Sequence, residues 1–123
     1  MKKWFLLLVV AVGCQNNEAD FPELSTDEAQ QIGATSVVMG AEIREIGPVR
    51  PVNYGFLWDT QSDITIASSR NKIILGSASA ARKFSIKLEI LAPNTKYYYR
   101  GFASSVDNTK FYYSGVVSFT TLP

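Results

Sequence analysis

Residues 91–103 read LAPNTKYYYRGFA, and the fold turns on how they are placed. Pro93, Asn94 and Thr95 favour a turn. Behind them the chain runs without interruption through residues that suit a pleated, half-buried strand. Side chains alternate in such a strand, so an inward-facing Tyr97 brings Tyr99, Gly101 and Ala103 into a core and sets Tyr98, Arg100 and Phe102 on the opposite face. A slip of one residue would exchange the two sets. The small Gly101 and Ala103 leave room for bulky partners, for which Phe56, Trp58, Val117 and Phe119 are expected.

Moving outward from this stretch, short runs rich in β-branched and aromatic residues alternate with turn-forming clusters, and no segment keeps helical spacing. Strands are predicted at 28–32, 36–43, 52–58, 71–76, 82–88, 97–104 and 112–121. Seven short strands describe an all-β, antiparallel β-sandwich. Gly47, Pro48 and Pro51 break the chain after the second strand, and Asp107 and Asn108 turn it between the last two. The gap 59–70, rich in Ser, Thr and Asp, is long enough to hold a short edge strand.

LAPNTKYYYRGFA resembles the signature of fibronectin type III domains, in which leucine, proline, threonine and tyrosine recur at this spacing. Two further pieces, YGFLWDT at 54–60 and YYSGVVSFTT at 112–121, resemble the third and last strands of the variant common in lipoproteins of the Bacteroidetes. Together the resemblance spans about residues 25–121. It implies a fibronectin type III-like, immunoglobulin-like sandwich with a tyrosine corner at Tyr97, whose hydroxyl would bond back to the preceding turn. The physical need for such a corner is plain. A strand crossing between sheets leaves backbone groups to satisfy, and a buried tyrosine brings apolar area plus one polar tip.

The opposite end carries a different signal. Lys2 and Lys3 precede an apolar run from Trp4 to Val12, then Gly13 and Cys14: the charged, apolar, small-residue order of an export signal. The run is far shorter than the roughly 20 residues that span a bilayer as a helix. Cys14, the only cysteine, is followed by the polar Gln15, Asn16, Asn17 and Glu18, a poor setting for a buried thiol. Ala11 to Cys14 resembles a bacterial lipobox, with alanine in a place where leucine is usual. The resemblance implies lipidation of Cys14 and attachment to the membrane through acyl chains, two or more of which hold a protein stably.

The expected organisation is a signal peptide at 1–13, a lipidated N-terminus and flexible tether at 14–24, and one domain at 25–123. Glu18 and Asp20 loosely resemble the acidic signals that send lipoproteins of the Bacteroidetes to the cell surface. An outer-membrane location is therefore expected, with the cell surface favoured over the periplasmic face. The last predicted strand ends close to Pro123, as in a complete single module or a truncated relative of a longer array.

Composition narrows the chemistry. The chain has no histidine, the usual base near neutral pH and the commonest metal ligand, and lipidation of Cys14 would leave no thiolate. Paired carboxylates for glycoside hydrolysis must face one cleft, whereas Asp59 with Asp63 and Glu42 with Glu45 lie in turn-like surroundings. Asp59 to Asp63 lacks the acid density and glycine of an EF-hand. No catalytic residue, cofactor or metal is expected. Removing Lys2 and Lys3 takes twelve basic residues to ten against eleven acids, a net charge of −1, which does not suit nucleic acid. The charges are uneven along the chain: residues 14–59 hold two arginines and eight acids, residues 60–123 eight bases and three acids.

What remains is a surface. If Tyr98, Arg100 and Phe102 face out, Tyr112 and Val116 on the last strand and Leu57 on the third complete an exposed aromatic patch. Such patches can mark interaction sites, and aromatic side chains also anchor protein interfaces. The same residues could equally form a surface ladder of rings around Arg100. Three roles are open: a display module binding an envelope protein or another copy, a carbohydrate-binding surface lipoprotein, or an accessory to a polysaccharide-degrading system.

Overall fold

A computed structural model describes residues 21–123. Eight strands form two antiparallel sheets. They are β1 (Glu23–Thr26), β2 (Val37–Glu45), β3 (Val52–Asp59), β4 (Asn71–Ala78), β5 (Arg82–Leu88), β6 (Lys96–Ser105), β7 (Phe111–Tyr113) and β8 (Val117–Thr120). One sheet has the order β1-β2-β5. The other has the order β4-β3-β6-β7, and β8 also pairs with β6. This is the all-β, fibronectin type III-like sandwich that the resemblance implied. Cys14, the expected signal peptide and residues 14–20 of the expected tether lie outside the described residues.

β6 is the central strand. It pairs with β3 from Tyr98 to Ser105, with β7 beside Phe102 to Ser104 and with β8 beside Lys96 to Tyr99. Tyr97, Tyr99 and Ala103 point into the core with Tyr54, Phe56, Trp58, Phe84 and Phe119. Ring contacts run through it: Tyr54 to Phe84 at 4.7 Å, Phe84 to Phe56 at 5.1 Å, Phe56 to Tyr99 at 6.1 Å and Phe119 to Tyr97 at 5.7 Å. Each such pair adds about 0.5–1.5 kcal/mol beyond its buried area. Gly101 faces the opposite sheet, where a Cβ would stand 2.9 Å from the Ala41 Cβ and 3.3 Å from Phe84. Gly55 answers a different demand. A Cβ there would stand 1.8 Å from the Ile73 carbonyl oxygen, at the irregularity in the β3–β4 register.

Tyr97 is 8% exposed, and its hydroxyl accepts a hydrogen bond from the Ala92 amide at 2.8 Å. Asn94 holds φ at 53° in that turn, a region asparagine tolerates better than most residues. Thr121 fastens the turn from the other side. Its hydroxyl donates to Ala92 O at 2.7 Å and accepts from the Thr95 amide at 2.9 Å.

Two strand predictions need correction. The first strand lies at Glu23–Thr26, not at 28–32, so residues 23 and 24 open the sheet and the expected domain start at 25 falls inside β1. Pro22 is already buried. Beyond β1 the chain follows β2 only through Asp27 N to Gly40 O and a bridge between Gln30 and Val38, and Gln31, with φ at 51°, turns it away. The last strand is two pieces separated by 114–116. The other predicted strands stand with ends moved by no more than two residues, and 60–70 holds no strand.

Replacing Tyr97 with phenylalanine leaves the Ala92 amide without its partner and should cost about 1–3 kcal/mol, read from urea unfolding. A loss under about 0.5 kcal/mol would mean the corner bond does not hold the turn. Gly55→Ala should be at least as damaging, because its clash is with backbone.

Candidate functional site

The sites the residues themselves suggested are the outward faces of β3, β6 and the last strand. Leu57 and Phe102 do lie on the outward side by register, but they are 0% and 1% exposed. The expected patch is therefore not an open surface. Segment 60–70 crosses from β3 to β4 and brings the fully buried Ile64 with it. Ile64 O accepts from Arg100 Nη1 at 2.9 Å, and the Ile66 amide donates to the Tyr113 hydroxyl at 3.0 Å. Both anchors stand on the outer face of this sheet.

Arg100 is the centre of this closure. Its Nε donates to Ser114 O at 2.8 Å, and its guanidinium carbon lies 4.8 Å from the centre of the Tyr113 ring. Two carbonyls and one ring thus take up the charge, and among the described residues no carboxylate lies in ion-pair reach. Tyr113 was absent from the expected patch. It pairs with Phe102 across the ladder and so shares its outward side.

Tyr112 is misplaced in the expectation for a related reason. An unbroken strand from 112 to 121 would put Tyr112 opposite in sense to Val117 and Phe119. The interruption at 114–116 shifts the alternation by one, so Tyr112 pairs with the inward Ala103 while Val117 and Phe119 pair with the inward Tyr99 and Tyr97. Tyr112 stacks on Phe21 with ring centres 6.0 Å apart. Val116 sits in the gap, 39% exposed. Tyr98 is half-buried on the outward side with the Lys96 ammonium 5.4 Å from its ring centre. Of the six expected patch residues, only Leu57, Arg100 and Phe102 are brought together, and they serve the interior of a covered face.

The gap itself is built from Ser114. Its hydroxyl accepts from the Gly101 amide at 2.7 Å, and its amide donates to Gly101 O at 3.0 Å. The Thr26 hydroxyl reaches across from β1 to Ser114 Oγ and Gly115 O, which ties this side of the sandwich shut. The Tyr99 hydroxyl donates to Asp27 O close by. Burial pushes that hydroxyl up to about 12, so Tyr99 keeps its donor proton through the physiological range.

Asp59 closes the base of segment 60–70. Its carboxylate accepts from the Thr60 amide at 2.6 Å and the Arg70 amide at 2.9 Å, with Arg70 Nε 3.7 Å away. Burial of the group raises its pKa, but the Arg70 and Thr60 amides, the Arg70 charge and the Thr60 hydroxyl outweigh that and hold it below the ordinary carboxylate value. The carboxylate is consumed by this turn and is not free for catalysis or a cation. Among the described residues no group of three or more Asp, Glu or Cys side chains is placed to hold a metal ion.

No family model matches this chain, and no curated protein matches it. Solved structures do. The sensor domain of the anti-sigma factor RsgI4 of Pseudobacteroides cellulosolvens superposes with a TM-score of 0.60 at 20% identity, covering 82% of this chain and 94% of that one. The fibronectin type III domain of human fibronectin type III domain containing protein 3 gives 0.55 at 18%, covering 87% and 89%. At these identities the likeness is one of fold.

Asp59→Asn sets an amide donor against a backbone donor and should destabilise the domain by about 1–3 kcal/mol at neutral pH. Because the folded pKa is depressed, this contribution is complete above the unfolded carboxylate value and is lost as pH falls through it to the lower folded value. The gap in unfolding free energy between wild type and Asp59→Asn should therefore shrink below about pH 4. A gap independent of pH would contradict the role given to the charge. Arg100→Ala should open segment 60–70 to limited proteolysis, and an unchanged cleavage pattern would contradict the closure.

Proposed function

We propose that this chain is a non-catalytic module, anchored in the cell envelope by lipid on Cys14, that binds a protein partner. The observation that carries the reading is the use of the polar and aromatic groups. Asp59, Ser104, Ser114 and Thr121, the buried polar side chains, bond within the fold. On the outward face, Arg100 and Tyr113 are bonded to segment 60–70, and Phe102 beside them is buried. What the fold presents outward is strand edges and loops. That a similar sandwich serves as the sensor domain of an anti-sigma factor supports recognition over turnover.

The attachment follows from the order of the chain. Six residues lie between Cys14 and Phe21, so the two are at most about 25 Å apart along an extended chain. Phe21 and Pro22 enter the pole where β1 meets the end of β2. On this reading that pole faces the bilayer and the sides of the sandwich stand free. The location is proposed as the outer membrane, at the cell surface.

Carbohydrate binding is not favoured by the geometry. Stacking on a sugar needs aromatic faces in one open plane, and here Phe102 is buried, Tyr112 lies against Phe21 and Tyr113 lies under Arg100.

Cells fed a clickable fatty acid should label the wild-type chain in the membrane fraction. Cys14→Ser should abolish the label and leave the chain as uncleaved precursor or in the soluble fraction. Continued labelling of the variant would overturn the anchor.

A further inference from the structure

The two sides of the sandwich differ. On one, Thr26 and Tyr99 lace β1 to the opposite sheet. On the other, β4 pairs only with β3 and β5 only with β2 among the described residues. Two strand edges therefore lie along one side with their outer backbone groups unpaired, and an unpaired edge is a template for another strand.

A groove of about 510 Å³ opens there, lined by Tyr54, Leu75 and Phe84, by Arg82 and Lys83, and by Asp27. Tyr54 and Phe84 are nearly buried and form an apolar base. The Arg82 guanidinium carbon lies 5.2 Å from the centre of the Tyr54 ring.

Basic residues outnumber acids on this side, where Asp27 lines the groove and Glu42 and Glu89 lie beside β5. β4 and β5 carry Lys72, Arg82, Lys83 and Lys87 and no acid. Lys72, Arg82 and Lys83 make no ion pair among the described residues, and Lys87 meets only the exposed Glu89, at 3.7 Å. Two acids face β5 from within its own sheet: Glu42, across from Lys83, and Asp27, whose carboxylate lies over Gly40, the partner of Ser85. The uneven charge along the sequence is thus partly spatial: the basic second half supplies both free edges.

On the reading of the domain as a protein-binding module, we infer that β5 receives an extended acidic segment of a partner protein as an added strand. The added strand's alternate side chains meet two surroundings. Lys83 and Lys87 share the outer face of β5 and pair with carboxylates. Phe84, on the inner side with Tyr54 and Leu75, accepts apolar side chains. The recognised segment alternates acidic and apolar residues, the pattern of main-chain affinity with side-chain selection that strand addition uses.

The test uses the full chain in detergent and a capped six-residue peptide alternating glutamate and valine. Its controls are a lysine–valine counterpart and an isomer with three glutamates followed by three valines. The alternating acidic peptide should shift the amide resonances of 82–88, and Lys83→Thr/Lys87→Thr should weaken it about tenfold with an unchanged unfolding midpoint. Raising salt from 50 to 500 mM should weaken it as well. Should the double variant unfold, Lys87→Thr alone serves, its residue being exposed. Equal binding of the block isomer or the lysine peptide, or shifts confined elsewhere, would overturn the proposal. So would a sulfated oligosaccharide that binds 82–88 where the peptide does not. None of these outcomes depends on Cys14, so loss of the anchor and loss of strand addition are read separately.

Discussion

The close approach of the two sheets at Gly101 is the constraint around which the rest is arranged. A Cβ on Gly101 would stand 2.9 Å from that of Ala41 on the facing sheet and 3.3 Å from both Phe84 and Ser114 Oγ. Only a strand with its smallest residue inward at this point can sit there. That requirement sets the alternation of β6, which sends Tyr97 and Tyr99 into the core and Arg100 and Phe102 outward. Because β6 pairs with three strands, its alternation is passed to most of the larger sheet.

The outward set creates a second problem, and segment 60–70 answers it. Leu57 and Phe102 would otherwise present apolar area to water, and removing such area is worth roughly 25 cal/mol per Å². Ile64 is drawn onto this face, Arg100 spans the covering segment and the gap at Ser114, and Asp59 pins the segment at its base. A cation that looked like a ligand-binding group is a structural clasp, satisfied by carbonyls and a ring.

The residues of 91–103 carried most of the legible information, because a turn, a corner tyrosine and strict alternation all fall in one continuous stretch. Strand positions were legible wherever a run of apolar residues was bounded by turn formers, as in 82–88. Three features were not. The gap at 114–116 inverts alternation within an apolar run, and no local pattern distinguishes a strand from two half-strands in opposite sense. β1 is short and polar, and its strand character comes from pairing with β2 and from the reach of Thr26 to Ser114. Segment 60–70 has no periodicity, yet Ile64 buries fully because of where its ends are held. Each of these depends on residues distant in sequence, so single-strand parity put Tyr112 outside and made Leu57 and Phe102 a surface.

With the aromatic face closed, the proposed function rests on the β4–β5 side and on the proposed anchor. The most direct test of this arrangement is residue-resolved amide hydrogen exchange on the full chain. The amides of Ile66 and Arg70 should be protected, since they donate to Tyr113 and Asp59, while alternate amides along the free edges of β4 and β5 exchange quickly. Fast exchange at Ile66 and Arg70 together with uniform protection along β5 would contradict both the covered face and the free edge.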